Sequence, residues 1–250
     1  MLYLTKNRQT QARIASGNIL KTSFCYSAVV GLAVLTAGVL ISSNSQARTT
    51  QECLQFDTTP AVIFTVSNAK TKLNKKKNSR QIEKFAKSIN AFKPTVKGRL
   101  LGLTFTDVAP QLGVEVEGRQ MQNGDLCVRL TQVTFQFGIR RAEIFVDRQY
   151  KAGTCNFKAI LAHEKEHMKI NLAVQKRYEK KLRKKLQIQA GKIRPHLAGS
   201  VKSAAQKISA KLTKDLKPLM AQFQKTKRKE NLKIDTPKSY QKVRSRCANW

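Results

Sequence analysis

Apolar and polar residues alternate with a period of two in several short stretches between residues 61 and 147. Such alternation predicts strands that bury one face. The turn-forming run Asn123-Gly124-Asp125 separates two of these stretches. We therefore expect a small, mostly antiparallel sheet, with strands over residues 61–67, 100–106, 113–117, 127–137 and 142–147.

Elsewhere apolar residues recur every three to four positions, which predicts amphipathic helices. One such helix covers residues 81–92. A second begins where Thr154 or Asn156 can cap it and runs to about residue 193. A third covers residues 201–224. Because only a short connection separates the last two, we expect them to pack together as a long helical hairpin.

These elements predict an α+β fold, in which the sheet packs on the second helix and the hairpin follows. We expect one domain over residues 48–250, with a strand-rich half over 48–153 and a helical half over 154–250. About 200 residues are enough to bury a single core.

Residues 1–47 are typical of an export signal. They carry four basic and no acidic residues, an apolar run over residues 26–41, and the small-x-small sequence Ser45-Gln46-Ala47 at a suitable cleavage point. The alternative is a retained membrane anchor through residues 24–41, which almost reach the length that spans a bilayer. Either way we expect the rest of the chain to be periplasmic or secreted.

Cysteine usage agrees with export, because four cysteines remain after the leader. An even number in an exported chain predicts two disulfides, and no C-x-x-C spacing indicates a cysteine metal site. Cys127 begins a predicted strand and Cys155 begins the next helix, so we expect these two to pair. Cys53 would then pair with Cys247.

The second predicted helix contains His163, Glu164 and His167 in an H-E-x-x-H pattern. Residues four apart lie one above the other on a helix, so both imidazoles can point at one metal ion. Neutral imidazole is a good Zn²⁺ ligand, and the adjacent carboxylate can take a proton from a metal-bound water. The alternative is a surface helix with two solvated histidines.

This pattern resembles the active-site helix of the zincin metallopeptidases, in which the two histidines bind zinc and the glutamate is the general base. Residues 127–167, together with Ile-Asp-Thr-Pro-Lys-Ser-Tyr-Gln-Lys-Val-Arg-Ser-Arg-Cys at residues 234–247, resemble a group of uncharacterised secreted bacterial proteins. Those proteins are described, on sequence grounds, as zinc-dependent proteases. The resemblance implies a zincin-like fold and hydrolysis of peptide bonds in a peptide or protein substrate. In zincins an edge strand beside the active helix binds substrate, and residues 142–147 are similar in position, although they fit an interior strand equally well.

The third metal ligand stays open. A metzincin has glycine and histidine where this chain has Ile170 and Ala173, so that subfamily is excluded. If one unbroken helix runs past residue 185, Glu179 lies about 120° round from His167 and cannot converge with it. The candidate third ligands are Glu179, His196, Asp235 and Glu143.

Two further roles have candidates among the polar residues near the motif. Asn171 lies one helical turn beyond His167 and is expected to orient a ligand rather than to bind metal. Tyr178 and Tyr240 are candidates for stabilising the oxyanion of a hydrolytic intermediate.

The chain is strongly basic, with 48 Lys and Arg against 15 Asp and Glu and a formal charge of +33. Removing residues 1–47 lowers this charge by only 4, to about +29. Residues 168–250 alone carry 24 basic and 4 acidic residues with few aromatics. Such a field attracts polyanions, including anionic membrane surfaces, but the lack of stacking aromatics argues against specific nucleic-acid binding. A non-catalytic cationic envelope- or polyanion-binding protein with a relic metal motif is therefore the alternative to the peptidase.

Overall fold

A computed structural model describes residues 42–89 and 99–250 of the chain. Residues 1–41 of the predicted export signal lie outside the described residues. So do residues 90–92, the end of the helix predicted over residues 81–92. Among the described residues, no helix is both long and apolar enough to cross a membrane.

The α+β class is confirmed, since the described part of the chain forms six strands and five helices. In chain order these are α1 (Ser42–Gln55), β1 (Ala61–Asn68), β2 (Thr71–Asn74), α2 (Ser79–Ser88), β3 (Gly102–Val108), β4 (Gln111–Gln120), β5 (Leu126–Val146), α3 (Cys155–Ala190), β6 (His196–Leu197), α4 (Val201–Leu232) and α5 (Pro237–Arg244).

The sheet is built around β5, a single strand of 21 residues with which the other five strands pair. The sequence predicts two strands here, separated near Gly138. The chain instead continues through Gly138 with a φ of +127°, a conformation that favours glycine. A Cβ at this position would lie 2.3 Å from the carbonyl oxygen of Ser67, so the neighbouring backbone also requires the missing side chain.

The sheet is mixed, because β2 runs parallel to β5 while β3 and β6 run antiparallel to it. The basic segment 70–80 has no apolar period, and its sequence alone predicts a solvated loop. It contains β2, whose side chains are exposed apart from a partly buried Asn74, so no apolar period marks this strand.

The segment 142–147 is predicted to be either a substrate-binding edge strand or an interior strand, and it lies in the interior of the sheet. Ala142–Phe145 pair with β2 on one side, and Ala142–Val146 pair with β3 on the other. Because backbone groups on both sides of this segment are used within the sheet, it has no edge to offer a substrate.

Contacts within the chain divide it into two compact units. The first contains α1, β4, β6 and the beginning of β5, in residues 42–63, 112–134 and 188–212. The second contains β2, β3, most of β5, α2, α5 and the greater parts of α3 and α4, in residues 64–89, 99–111, 135–187 and 213–250.

In the second unit α3 and α4 pack against each other, as the predicted hairpin requires. The Tyr178 hydroxyl lies 2.7 Å from Oγ1 of Thr226 and donates to the carbonyl oxygen of Gln222. The Phe223 ring contacts the rings of Tyr178 and Phe137. α3 is unbroken over its 36 residues, which is the condition under which Glu179 was expected to point away from the histidines.

Two disulfides are present, which confirms their number, but the predicted pairing is wrong. Cys53 pairs with Cys127 in the first unit, and Cys155 pairs with Cys247 in the second. The prediction failed because residues 126–146 form one continuous strand and do not return on themselves as a strand pair would. Two disulfides are typical of an oxidising compartment outside the cytoplasm.

Candidate metal centre

The H-E-x-x-H segment lies in the first turns of α3, which pack firmly on the sheet. Thr154 caps the helix, since its hydroxyl accepts from the backbone N–H of Phe157, whereas Asn156 lies within the first turn. Phe157 and Ile160 form a buried cluster with Ile144 and Val146 of β5. The apolar side of α3 is thus fixed, and so is the direction in which its polar side chains point.

Three side chains from distant parts of the sequence converge at this helix. Nε2 of His167 lies 3.3 Å from Nε2 of His163 and 3.0 Å from Oδ1 of Asp235. Nε2 of His163 lies 3.5 Å from the same oxygen. The three potential ligand atoms all lie within 4.8 Å of one another, so the group could hold a metal ion.

Asp235 lies in the connection between α4 and α5, and local hydrogen bonds hold this connection in place. Thr236 caps α5 by accepting from the backbone N–H of Ser239, and Pro237 occupies the first turn. The Tyr240 hydroxyl, one turn into α5, donates to Oδ1 of Asp235 at 2.8 Å. Of the four candidate third ligands, Asp235 is the one that the structure brings to the histidines.

Asn231, near the end of α4, supports the opposite edge of the His167 ring. Its side-chain oxygen lies 2.7 Å from Nδ1 of His167. Its amide nitrogen donates to Oδ1 of Asn171 and to the carbonyl oxygen of Lys227. Asn171 therefore acts on the ligand through Asn231, one step further back than the sequence suggested.

Glu164 is almost fully buried, with 5% of its surface exposed. The Thr104 hydroxyl of β3 lies 2.8 Å from Oε2 of Glu164 and 2.7 Å from its backbone carbonyl oxygen. The next contact is with Gly102, where a Cβ would lie only 2.7 Å from Oε1. The close approach of the β3 backbone thus confines the carboxylate.

Burial and hydrogen bonds shift the pKa values of His167 and Asp235 in opposite directions. Burial opposes the charged form of His167, but the hydrogen bond to Asp235 and the nearby carboxylates outweigh it and raise the pKa of His167 to about 9. Burial also opposes ionisation of Asp235, yet hydrogen bonds from the two histidines hold its pKa well below the usual range. At neutral pH a protonated His167 therefore faces an ionised Asp235.

Two neighbouring groups stay protonated more readily than in water. Burial raises the pKa of Glu164, although the two histidines partly offset this effect. Burial and the adjacent Asp235 carboxylate raise the pKa of the Tyr240 hydroxyl, which therefore remains a hydrogen-bond donor across the physiological range.

The other candidate ligands have different surroundings. Glu179 contacts Arg183 one turn along α3. Glu143 lies on β5, accepts from Asn74 and pairs with Arg141, and these hydrogen bonds overcome partial burial and lower its pKa. His196 belongs to β6 in the first unit, where its Nδ1 lies 3.3 Å from the carbonyl oxygen of Arg194. Tyr178, a candidate oxyanion stabiliser, is bound between α3 and α4.

Three residues at the site could not be predicted from the sequence: Gly102, Thr104 and Asn231. Nothing in the local pattern marks them, because β3 reads as an ordinary strand and Asn231 lies in a run of polar residues. They reach the motif only because β3 packs beside α3 and because the end of α4 lies near the first turns of α3.

Neither known family models nor curated proteins match this sequence, and no solved structure matches the fold.

Proposed function

We propose that the protein is an exported zinc-dependent metallopeptidase. The observation that carries the proposal is the convergence of His163 and His167 with Asp235, at the face of a helix that also presents a buried glutamate. Two imidazoles and one carboxylate, with a position left for water, are a donor set that suits catalytic zinc. The N–H of His167 that faces Asn231 supports the ring in the way typical of a metal-bound histidine.

In this proposal His163, His167 and Asp235 hold the zinc ion, and Glu164 is the general base. The bound ion would polarise the substrate carbonyl and lower the pKa of a water molecule. Glu164 takes the proton of the attacking water and passes it to the leaving amine, a role to which a buried carboxylate with a raised pKa is suited. Tyr240 positions Asp235 through its hydroxyl and is the candidate that remains for stabilising the oxyanion.

Peptide bonds, rather than other amides, are proposed from the resemblance of the motif to zincins. The geometry of β3 supports this choice. Within the described residues β3 pairs only with β5, so no described strand occupies its other edge. An extended peptide could add to this edge beside Thr104 and Glu164, in place of the interior segment 142–147.

The alternative, a non-catalytic cationic binding protein, is favoured by the formal charge of +33. It differs from the peptidase in its dependence on the metal centre. Binding to anionic surfaces through lysines should be lost at high salt and should be indifferent to changes at Glu164.

The decisive experiment measures zinc content and peptidase activity in the same preparations. The wild-type protein should contain about one equivalent of zinc, and the His163→Ala, His167→Ala variant should contain none. Glu164→Gln should keep its zinc and lose turnover by about a hundredfold or more. Glu166→Gln is the matched control, since this residue lies on the same helix but is exposed and pairs with Lys169.

Folded protein that takes up no zinc would overturn the metal site and leave the cationic binding protein. Zinc binding with equal activity in Glu164→Gln and wild type would overturn the role of Glu164.

A further inference from the structure

A cavity of about 550 Å³ lies in the second unit, in the size range of small-ligand sites. Two arginines, two aromatic residues, one leucine and one glutamine line it: Arg99, Arg244, Tyr150, Trp250, Leu101 and Gln149.

Two chain segments connect this cavity to the metal centre. Leu101 directly precedes Gly102, whose backbone abuts the Glu164 carboxylate. Arg244 lies one turn of α5 beyond Tyr240, which donates to Asp235. Residues four apart on a helix share a face and lie about 6 Å apart along its axis, which is roughly the length of two residues of extended peptide. A substrate aligned along β3 can therefore reach the cavity while its scissile bond lies at Glu164.

The cavity is cationic. Among the described residues, no Asp or Glu side chain lies within ion-pair distance of Arg99 or Arg244. The nearest acidic residue along the lining loop is Asp147, which is buried. Its two oxygens accept the backbone N–H groups of Ser79 and Gln149, so it shapes the loop and does not neutralise the arginines.

The aromatic wall of the cavity is formed by Tyr150 and Trp250, which are held in place by contacts with their neighbours. The ring of Trp250 meets that of Tyr150 edge to face, with centroids 6.0 Å apart. The indole N–H of Trp250 donates to the carbonyl oxygen of Arg244 at 2.7 Å, which ties the aromatic wall to the α5 residue that carries the charge. Two guanidinium groups beside aromatic and aliphatic surface fit a carboxylate on an aliphatic stem.

We propose that this cavity is a specificity pocket for a carboxylate of the substrate, close to the scissile bond. The carboxylate can belong to a Glu or Asp side chain or to the C-terminus of a peptide, because both present the same planar anion. This inference rests on the proposed peptidase function and names the substrate class of that site.

Trp250 is the only tryptophan in the chain, so its fluorescence reports on the cavity directly. The zinc-loaded Glu164→Gln protein is titrated with three peptides: a glutamate peptide with a blocked C-terminus, a neutral peptide with a free C-terminus, and a neutral peptide with a blocked C-terminus. We expect the first or the second peptide to bind at least tenfold more tightly than the third, as measured by the change in fluorescence. The stronger of the two identifies the source of the carboxylate.

The arginines are tested in the same titration. Arg244→Gln and Arg99→Gln should each weaken binding of the preferred carboxylate peptide by roughly tenfold and leave the blocked neutral peptide unchanged. Both residues are exposed, so the variants are expected to fold. Arg246→Gln removes an equal charge from a residue outside the cavity lining and should have no effect.

The wild-type enzyme gives an independent comparison, the ratio of kcat/KM for carboxylate and neutral peptides. Carboxylate-dependent fluorescence without turnover would support the pocket and overturn the peptidase. Turnover with neither a carboxylate preference nor a response to the two arginine variants would overturn the pocket and leave the peptidase in place.

Discussion

The side-chain oxygen of Asn231 lies 2.7 Å from Nδ1 of His167, on the edge of the ring opposite to the nitrogen that faces Asp235. An amide oxygen can only accept, so this contact keeps a proton on Nδ1 and leaves Nε2 as the atom that would bind the proposed metal ion. Asn231 is itself held by Asn171 and by the carbonyl oxygen of Lys227. The orientation of a ligand on α3 is thus set by the end of α4.

Replacing Asn231 with alanine should weaken zinc binding by about 10- to 100-fold, because the His167 ring loses the partner that fixes its orientation and tautomer. Zinc affinity is measured by competition with a chromophoric chelator. Asn171→Ala is the matched control. It should have a much smaller effect, since the Lys227 carbonyl still holds Asn231. Equal losses in the two variants would mean that the contact with His167 has no special role.

Gly102→Ala should impair turnover while preserving zinc. The new Cβ would lie 2.7 Å from Oε1 of Glu164 and 2.8 Å from the Ile160 side chain, so the carboxylate must move. A displacement of this size at a general base is expected to lower kcat by about tenfold or more. Gly199→Ala adds the same methyl group in open space and should be neutral. Unchanged kcat in Gly102→Ala would show that Glu164 does not need its present position.

The Cys155–Cys247 disulfide should support the metal centre, because it ties the start of α3 to the segment that follows Asp235 and α5. We expect the Cys155→Ser, Cys247→Ser variant to bind zinc several-fold more weakly. The Cys53→Ser, Cys127→Ser variant is the control, since that disulfide lies in the first unit. Both variants should lose roughly 2–4 kcal/mol of stability. Equal zinc affinity in the two variants would show that the Cys155–Cys247 disulfide does not support the metal centre.

The metal-free protein should lose stability as the pH rises from about 6.5 to about 9. The folded state raises the pKa of His167 to about 9, so His167 stabilises the fold fully below its unfolded pKa of about 6.5. This contribution disappears as the pH passes through the folded value. It is of the order of 3 kcal/mol.

Urea unfolding of chelator-treated protein across this pH range measures the loss. The same experiment on Asp235→Asn removes the main partner of the charged ring and should show a flatter profile. Identical slopes in the two proteins would contradict the assignment of the pH dependence to His167.

Features set by neighbouring residues could be predicted from the sequence. Helix geometry over a few residues predicts a cap at Thr154 or Asn156, the long α3 and the juxtaposition of His163 with His167. The exclusion of Glu179 followed from the same geometry, since it needed only the knowledge that α3 continues.

Features that depend on distant pairing could not be predicted. Asp235 lies 68 residues after His167, and nothing local distinguished it from Glu143 or His196. The disulfide pairing failed because β5 is one strand rather than two. The role of segment 142–147 depended on its neighbours β2 and β3, whose positions are not encoded in the segment itself.

The disulfide in the second unit also shortens the route between the metal ligands. Along the backbone, 68 residues separate His167 from Asp235, whereas the path through the Cys155–Cys247 sulfurs spans only about 24. In the unfolded chain the entropy of closing a flexible loop scales as about (3/2)RT ln n, so there the shorter path lowers the cost of closure by about 1 kcal/mol. The effective concentration of Asp235 at the histidines of the unfolded chain then rises roughly fivefold. In the proposed metal site, oxidation before metal loading would therefore let the chain capture an ion from a more dilute supply, which would couple maturation of the site to an oxidising compartment.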